Sequence, residues 1–173
     1  MKSLVIITSE IDSGKTQTLE KISNTLKAKK ISVGGFLSVA DYDKSKKIAY
    51  SLKNIATGEE VPLATQRKFD TNITIGKYFF YEQAFDKAND WLIDTREFDI
   101  IVIDEVGPLE MRGGGFYELL TNLFQDYKGI LVVAVRTEIL EEFHIKFPYP
   151  ETAIFTTDTK IDEIIDYIVK IIG

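Results

Sequence analysis

Three apolar runs are the feature of this sequence that most restricts its fold. Residues 4–7 and 130–135 carry only apolar side chains, and residues 98–103 do so apart from Asp99. Strands that are apolar on both faces are typical of parallel sheets covered by helices on each side. Segments with helical spacing of apolar residues stand between the runs. We therefore predict an α/β fold with three layers and a mainly parallel sheet.

The segments between these runs predict the remaining elements. Residues 33–39 read as a strand, a turn follows at residues 41–45, and residues 47–52 read as a returning strand before a second turn at residues 57–60. Short strands joined by turns predict an antiparallel meander inserted into the parallel sheet. Helical spacing predicts helices at residues 14–29, 81–93, 116–127, 137–143 and 161–172, and residues 152–155 predict one further strand.

Composition narrows the class of protein. The chain has 173 residues, of which 45% are hydrophobic, and we find neither a linker nor a repeat, so we predict a single domain over residues 1–173. A net charge of −6 disfavours nucleic acid and anionic membranes as partners. The chain has no Cys and one His, His144, which excludes disulfides and disfavours His-based metal clusters or triads.

We find no signal for export or for insertion into a membrane. The first residues lack the length and cleavage site of a signal peptide. No segment approaches the roughly 20 apolar residues of a membrane helix. We expect a soluble, cytoplasmic protein, and the sequence identifies no protein partner.

A polar loop between the first strand and the first helix has the spacing of a phosphate loop. That pattern is Gly, four residues, then Gly-Lys-Ser/Thr, and this chain matches it except that Ser9 replaces the first Gly. The candidate nucleotide-binding residues are Ser9, Glu10, Ile11, Asp12, Ser13, Gly14, Lys15, Thr16 and Gln17. Backbone N–H groups of such a loop surround the β-phosphate, and the helix N-terminus adds a favourable dipole. Lys15 is expected to reach the β- and γ-phosphate oxygens and Thr16 to bind Mg²⁺.

Two adjacent carboxylates follow the apolar run at residues 98–103. In phosphate-loop (P-loop) enzymes, such a strand carries the Asp that holds Mg²⁺, and Asp104 fits that position. Glu105 has the chemistry to orient and deprotonate an attacking water molecule. Because the two residues are adjacent, their side chains are expected to leave the strand in different directions. We predict Asp104 as a metal ligand and Glu105 as the catalytic base.

Four further segments complete a family resemblance. They are Gly34-Gly35-Phe36-Leu37-Ser38-Val39, Thr57-Gly58-Glu59, Gly76-Lys77-Tyr78 and Asp104-Glu105-Val106-Gly107-Pro108-Leu109-Glu110. With the two nucleotide motifs, their order and spacing resemble the small nucleoside-triphosphatase family that includes the cancer-related NTPase. The resemblance covers residues 4–136, and the Asp-Glu-hydrophobic-Gly-Pro-hydrophobic-Glu run is its most specific part.

The resemblance implies a P-loop NTPase fold of the division with an extra strand and a catalytic glutamate. Residues 130–135 would form that strand, between the strands at residues 4–7 and 98–103. The implied activity is slow, Mg²⁺-dependent hydrolysis of ATP, GTP and other nucleoside triphosphates. Arg136 matches an arginine of the family, and two interpretations stay open: contact with the γ-phosphate, or a surface position that caps the next helix. The family's C-terminal Asn-Arg pair is absent from residues 156–159.

Two other functions use the same motifs. A small-molecule or nucleotide kinase would send the γ-phosphate to an acceptor other than water. Kinases normally close an arginine-rich lid over the site, whereas the four arginines here are scattered at Arg67, Arg96, Arg112 and Arg136. A nucleotide-dependent binding module, whose bound state is recognised by a partner, is the second alternative. The sequence does not separate it from a hydrolase.

Overall fold

In a computed structural model, which describes residues 3–10 and 13–173, strands and helices alternate along the chain. The strands are β1 (Ser3–Ser9), β2 (Val33–Asp43), β3 (Lys46–Asn54), β4 (Glu60–Thr65), β5 (Thr74–Ile75), β6 (Tyr78–Phe80), β7 (Ile100–Val106), β8 (Ile130–Arg136) and β9 (Thr152–Thr156). The helices are α1 (Lys15–Ala28), α2 (Glu82–Trp91), α3 (Pro108–Met111), α4 (Tyr117–Asp126), α5 (Leu140–Lys146) and α6 (Ile161–Ile172). None of these helices has the length and apolar character needed to cross a membrane.

All strands belong to one sheet with the order β5-β6-β4-β3-β2-β7-β8-β1-β9. The pairs β2–β7, β7–β8, β8–β1 and β1–β9 are parallel, whereas β3, β4, β5 and β6 extend the sheet as an antiparallel meander. Strand β8 lies between β1 and β7, as the family resemblance implied. The predicted α/β fold with an inserted meander is confirmed.

Each face of the sheet is covered by helices with a continuous apolar stripe. Helices α1 and α6 cover one face, where Leu19, Ile22 and Leu26 of α1 are completely buried. Helices α2, α4 and α5 cover the opposite face, where they pack against Phe36 and Leu52 of the sheet. A helix that buries such a stripe derives most of its stability from this packing. The chain therefore has two hydrophobic cores, one on either side of the sheet.

The close contact between β2 and β7 requires glycine at one position. Gly35 has φ +101°, and a Cβ built there would lie 1.9 Å from the carbonyl oxygen of Val102. Neither the left-handed backbone nor this distance tolerates a side chain. Glycine at position 35 therefore serves the close packing of β2 on β7.

The observed elements correct several predicted boundaries. Strand β2 runs to Asp43, so the predicted turn at residues 41–45 shrinks to Lys44 and Ser45. Strand β7 begins two residues later than predicted and runs to Val106, so both carboxylates lie within it. The hairpin β5–β6 and the helix α3 were not predicted, because segments this short carry too few residues to show a periodicity.

A buried carboxylate, Glu110, holds the turn that follows β7. Its two oxygens accept hydrogen bonds from the backbone N–H groups of Gly107, at 2.8 Å, and Phe116, at 3.1 Å. Glu110 is 3% exposed, so both hydrogen bonds are shielded from solvent. These contacts indicate a structural role for Glu110.

We expect Glu110→Ala to lower the free energy of unfolding by about 2–5 kcal/mol, because two buried N–H groups lose their acceptors. Urea denaturation measures this change. Glu118→Ala, on the exposed surface of α4, is the matched control and should change stability by no more than about 0.5 kcal/mol. Equal stabilities for the two variants would contradict the structural role of Glu110.

Candidate functional site

The predicted site residues meet at the carboxyl ends of the parallel strands. Ser9 ends β1, Asp104 and Glu105 lie near the end of β7, and Arg136 ends β8. Because β8 lies between β1 and β7, these three strand ends are neighbours. Open α/β sheets bind their ligands at this edge.

The backbone of the phosphate loop leads directly from β1 into α1. Gly14 immediately precedes the helix and has φ +88°, a left-handed conformation that favours glycine. Ser9 is still a strand residue and pairs with Arg136 in the parallel β1–β8 ladder. The extended backbone at this position accepts any L-residue, which explains how serine replaces the usual glycine. Ile11 and Asp12, two of the predicted nucleotide-binding residues, lie outside the described residues.

Lys15 extends over the loop rather than away from it. Its Nζ donates to the carbonyl oxygens of Ser9, at 3.0 Å, and Glu10, at 2.6 Å, and lies 3.4 Å from the Ser9 hydroxyl. The Ser9 and Ser13 hydroxyls are hydrogen-bonded to each other, and Ser13 also donates to the Glu10 carbonyl. The ammonium group therefore lies against the end of β1 and the first residue of the loop. Gln17, in the first turn of α1, is exposed.

Thr16 and Asp104 are brought together from distant parts of the chain. The Thr16 hydroxyl lies close enough to the Asp104 carboxylate to lower its pKa, and the backbone N–H of Ser38 donates to Asp104 Oδ2 at 3.0 Å. Burial raises the pKa of Asp104 to about 7 and the charge of Glu105 adds to this rise, whereas the Thr16 hydroxyl, the Ser38 N–H and the Lys15 ammonium oppose it. A cation beside Asp104 would favour the charged carboxylate.

This pair of oxygen ligands fits a divalent cation that phosphate oxygens and water complete. Mg²⁺ prefers hard oxygen ligands and is commonly held by one or two protein groups together with substrate phosphates. The Thr16 hydroxyl and the Asp104 carboxylate supply such groups. No set of three His, Cys, Asp or Glu residues suitable for a metal occurs in residues 3–10 and 13–173. The chemistry of the hydroxyl and the carboxylate suits Mg²⁺ bound together with a nucleotide.

Glu105 occupies a strained position in β7. Its φ is +63°, which a non-glycine residue adopts rarely and at an energetic cost. The register between β7 and β8 shifts between Ile103 and Val106, so Asp104 and Glu105 form an irregularity in the ladder. Such bulges change the direction of side chains and are common beside active sites. The irregularity separates the directions of two carboxylates that are adjacent in sequence.

Arg136 contacts Glu105 across the site. Its guanidinium donates to Glu105 Oε1 at 3.2 Å and lies 3.7 Å from Glu138 Oε1. The Arg136 side chain is 21% exposed and that of Glu105 is 32% exposed, so the pair is partly shielded from solvent. Arg136 therefore lies between the phosphate loop, through its pairing with Ser9, and the Glu105 carboxylate.

The structure adds two residues to which the sequence gave no role. Ser38 contacts Asp104 through its backbone N–H. Tyr50 of β3 lies close enough to Glu105 for the negative charge of Glu105 to raise its pKa. Burial first, and the Glu105 charge second, raise the pKa of Tyr50 to about 12. Ser38 could have been noticed in the sequence as a polar residue within the apolar strand at residues 33–39. No sequence pattern indicates a role for Tyr50, because its proximity to Glu105 depends on the order of the strands.

Comparisons with known proteins agree with this arrangement. The family profile described as NTPase matches residues 4–165. A protein named nucleoside-triphosphatase THEP1 from Caldivirga maquilingensis is 25% identical over 98% of this chain and 96% of its own length. The protein of the same name from Methanocaldococcus jannaschii is 30% identical over 76% of this chain and 78% of its own length.

Two solved structures share the fold. The solution structure of a human cancer-related nucleoside triphosphatase superposes with a TM-score of 0.74 at 19% identity, over 97% of this chain and 96% of that chain. The crystal structure of THEP1 from Aquifex aeolicus superposes with a TM-score of 0.71 at 18% identity, over 95% of this chain and 98% of that chain. These similarities establish a common architecture over nearly the whole chain.

Proposed function

The chain belongs to the NTPase family, and on this basis we propose that it slowly hydrolyses ATP, GTP and related nucleoside triphosphates to diphosphate and phosphate. The observation that carries the proposal is the contact between the phosphate loop and β7. Thr16 and Lys15, at the start of α1, both lie close enough to the Asp104 carboxylate of β7 to lower its pKa. A loop that binds phosphates and a carboxylate suited to a phosphate-bound cation thus form one site.

Binding of the triphosphate depends on the loop and on the start of α1. The backbone N–H groups of the loop, including Ser13 and Gly14, would surround the β-phosphate. Lys15 would exchange its bonds to the loop carbonyls for bonds to the β- and γ-phosphate oxygens. Ser9, Glu10 and Gln17 would border the bound phosphates. The proposed role of Ile11 and Asp12 rests on the sequence pattern alone.

We propose Mg²⁺ as the cofactor, held by the Thr16 hydroxyl and, directly or through water, by Asp104. When bound, the ion neutralises charge that develops on the β- and γ-phosphate oxygens. The burial of Asp104 is consistent with this role, since a buried carboxylate interacts more strongly with a cation than an exposed one.

Glu105 is proposed as the general base. Its carboxylate accepts a proton from a water molecule while the water oxygen forms a bond to the γ-phosphorus. The bond between the γ-phosphorus and the β–γ bridging oxygen breaks, and its electron pair leaves with the nucleoside diphosphate. Protonated Glu105 then returns the proton to solvent or to product phosphate.

Arg136 is proposed to act on the γ-phosphate. Its guanidinium is already in the site, at 3.2 Å from Glu105, and a planar donor can contact a carboxylate and a phosphoryl oxygen at the same time. Contact with the γ-phosphate would stabilise the charge that grows there in the transition state. This position favours the first of the two interpretations that the sequence left open.

The kinase alternative finds less support in the arrangement of charges. Arg136 is at the site, whereas Arg96 pairs with Asp94 away from it, and Arg67 and Arg112 are exposed. We propose that residues 1–173 act as one domain, and we keep a cytoplasmic location as an expectation from the sequence. A protein partner that recognises the nucleotide-bound state would be compatible with slow hydrolysis.

Phosphate release tests the function directly. We expect the purified protein to release phosphate from ATP and GTP, and also from CTP or UTP, in the presence of Mg²⁺, and to lose this activity when EDTA removes the metal. Each reaction is repeated with nucleosides and nucleoside monophosphates as acceptors. Transfer of a labelled γ-phosphate to one of these acceptors, in place of phosphate release, would establish that the protein is a kinase. Binding of triphosphate without release of phosphate would establish the binding module.

A further inference from the structure

One buried side-chain hydroxyl lacks a hydrogen-bond partner within the described part of the chain, and it belongs to Ser38. Ser38 is 2% exposed. Ser23, which is also 2% exposed, shows the usual arrangement, since its hydroxyl donates to the Leu19 carbonyl at 2.7 Å. Buried polar groups are nearly always paired with protein or with ordered water. The Ser38 hydroxyl therefore points to a small ligand.

Ser38 lies where β2 and β7 separate. The parallel pairing of these strands ends at Phe36 and Ile103. Beyond that pair, the Ser38 N–H donates to the Asp104 side chain rather than to the backbone of β7. The irregular pairing of β7 with β8 begins at the same level. Strand β7 is thus paired with neither neighbour at Asp104 and Glu105, before it rejoins β8 at Val106, and Ser38 borders this point of strand separation.

The Ser38 side chain faces the side of the sheet opposite α1. Alternate residues of a strand share a face, and Phe36 belongs to the core under α2 and α4. Ser38 is also directly paired with Leu52, which belongs to the same core. Tyr50, two residues from Leu52 on β3, packs against this core as well. Ser38 therefore shares a face with Tyr50, whereas Asp104 contacts Thr16 of α1.

The negative charge of Glu105 also acts on groups at that same face. Burial is the main cause of the raised pKa values of Tyr50 and of Glu110, which follows β7, and the Glu105 charge contributes to both. The left-handed backbone at Glu105 re-aims its side chain relative to Asp104. The Glu105 carboxylate and the Ser38 hydroxyl therefore border the same point of strand separation, from β7 and from β2.

We infer that the Ser38 hydroxyl, together with Glu105, binds the water molecule that attacks the γ-phosphate, an inference that rests on the proposed hydrolysis. The water donates one hydrogen to the Glu105 carboxylate and the other to Ser38 Oγ, which directs a lone pair of its oxygen at the γ-phosphorus. In the reaction the first hydrogen passes to Glu105 as a proton, the second stays with the product phosphate, and Ser38 is unchanged. The low exposure of Ser38 suits a ligand as small as water.

Ser38→Ala tests this inference. We expect kcat to fall roughly 10- to 100-fold, the effect of one lost hydrogen bond to the reacting group. KM, and the affinity for a non-hydrolysable triphosphate analogue measured by calorimetry, should change by no more than a few-fold, because the loop and the metal site are intact. The melting temperature should stay equal or rise, because the hydroxyl has no protein partner to lose. Counting active sites by analogue titration corrects kcat for any unfolded fraction.

Two matched variants complete the experiment. Ser23→Ala removes an equally buried hydroxyl that has a partner, and it should leave kcat unchanged. Ser38→Thr keeps the hydroxyl and should recover kcat to within several-fold of the wild type. If the wild type hydrolyses triphosphates and Ser38→Ala has the same kcat as the wild type, this inference is overturned but the proposed function is not. A fall in kcat that follows lost stability, and that Ser38→Thr does not recover, would overturn it as well. A wild type that releases no phosphate would instead overturn the proposed function.

Discussion

Replacing Glu105 with glutamine is expected to reduce the rate of triphosphate hydrolysis roughly 10²- to 10⁴-fold, the usual effect of losing a general base. Glutamine keeps the size of the side chain and can still accept a hydrogen bond from Arg136, which contacts Glu105 Oε1 at 3.2 Å in the wild type. It no longer accepts a proton from water. Triphosphate affinity should stay within a few-fold or rise slightly, because a negative charge near the γ-phosphate is removed. Phosphate-release kinetics and calorimetry with a non-hydrolysable analogue measure the two effects separately.

Glu138→Gln is the matched control for this variant. Glu138 is a second carboxylate near Arg136, at 3.7 Å, and its side chain is 52% exposed. Its replacement removes a negative charge from the same arginine but leaves the proposed base in place, so the rate should remain within a few-fold of the wild type. Hydrolysis by Glu105→Gln at the wild-type rate would show that Glu105 is not the base, and would favour the kinase or the binding module.

Asp104→Asn distinguishes the metal ligand from the base. Asparagine keeps an oxygen that can face Thr16 but lacks the charge that attracts a divalent cation. Asp104→Asn should hydrolyse triphosphates more slowly than the wild type, and a higher Mg²⁺ concentration should partly restore its rate. The rate of Glu105→Gln should not be restored by Mg²⁺. A Mg²⁺ series on both variants makes this comparison. Identical Mg²⁺ dependence for the two variants would contradict the different roles assigned to the adjacent carboxylates.

Replacing Lys15 with alanine is expected to weaken triphosphate binding roughly 10²- to 10⁴-fold. The wild-type ammonium group would lose its contacts with two phosphate groups, and a hydrogen bond to a charged group contributes about 1.5–3 kcal/mol. The fold should persist, because alanine has a high helix propensity at the start of α1 and Lys15 is only half-buried. Calorimetry with ATP and GTP measures the affinity, and circular dichroism checks the fold.

The control for Lys15 comes from the same helix. Lys21 is exposed in α1, so Lys21→Ala removes one positive charge at a distance from the loop. Its effect on affinity should be no more than a few-fold, which separates the local contact from the general effect of net charge. Equal affinities for the wild type and Lys15→Ala would refute the assignment of the phosphate loop.

Local patterns in the sequence predicted most of the fold. Strands β1, β7 and β8 correspond to continuous apolar runs, and helices α1, α4 and α6 correspond to apolar residues at helical spacing. Both patterns are visible within a short stretch of sequence, because burial of a strand or of a helix face requires them. Gly14 was predicted from spacing alone, because its left-handed backbone is a local requirement of the turn into α1. Elements with too few residues to show a period, such as β5, β6 and α3, could not be predicted in this way.

Local sequence patterns identify the chemical groups that the site can use: a loop suited to phosphate, a hydroxyl at Thr16, two adjacent carboxylates and an arginine at the end of an apolar strand. Which of these groups come into contact depends on the folded sheet. Arg136 and Glu105 are 31 residues apart in sequence, and Ser38 and Asp104 are 66 residues apart. Their contacts depend on strand order and on the irregularity in β7. The physical reason is that propensity and periodicity act between near neighbours in sequence, whereas strand order and register result from packing of the whole sheet.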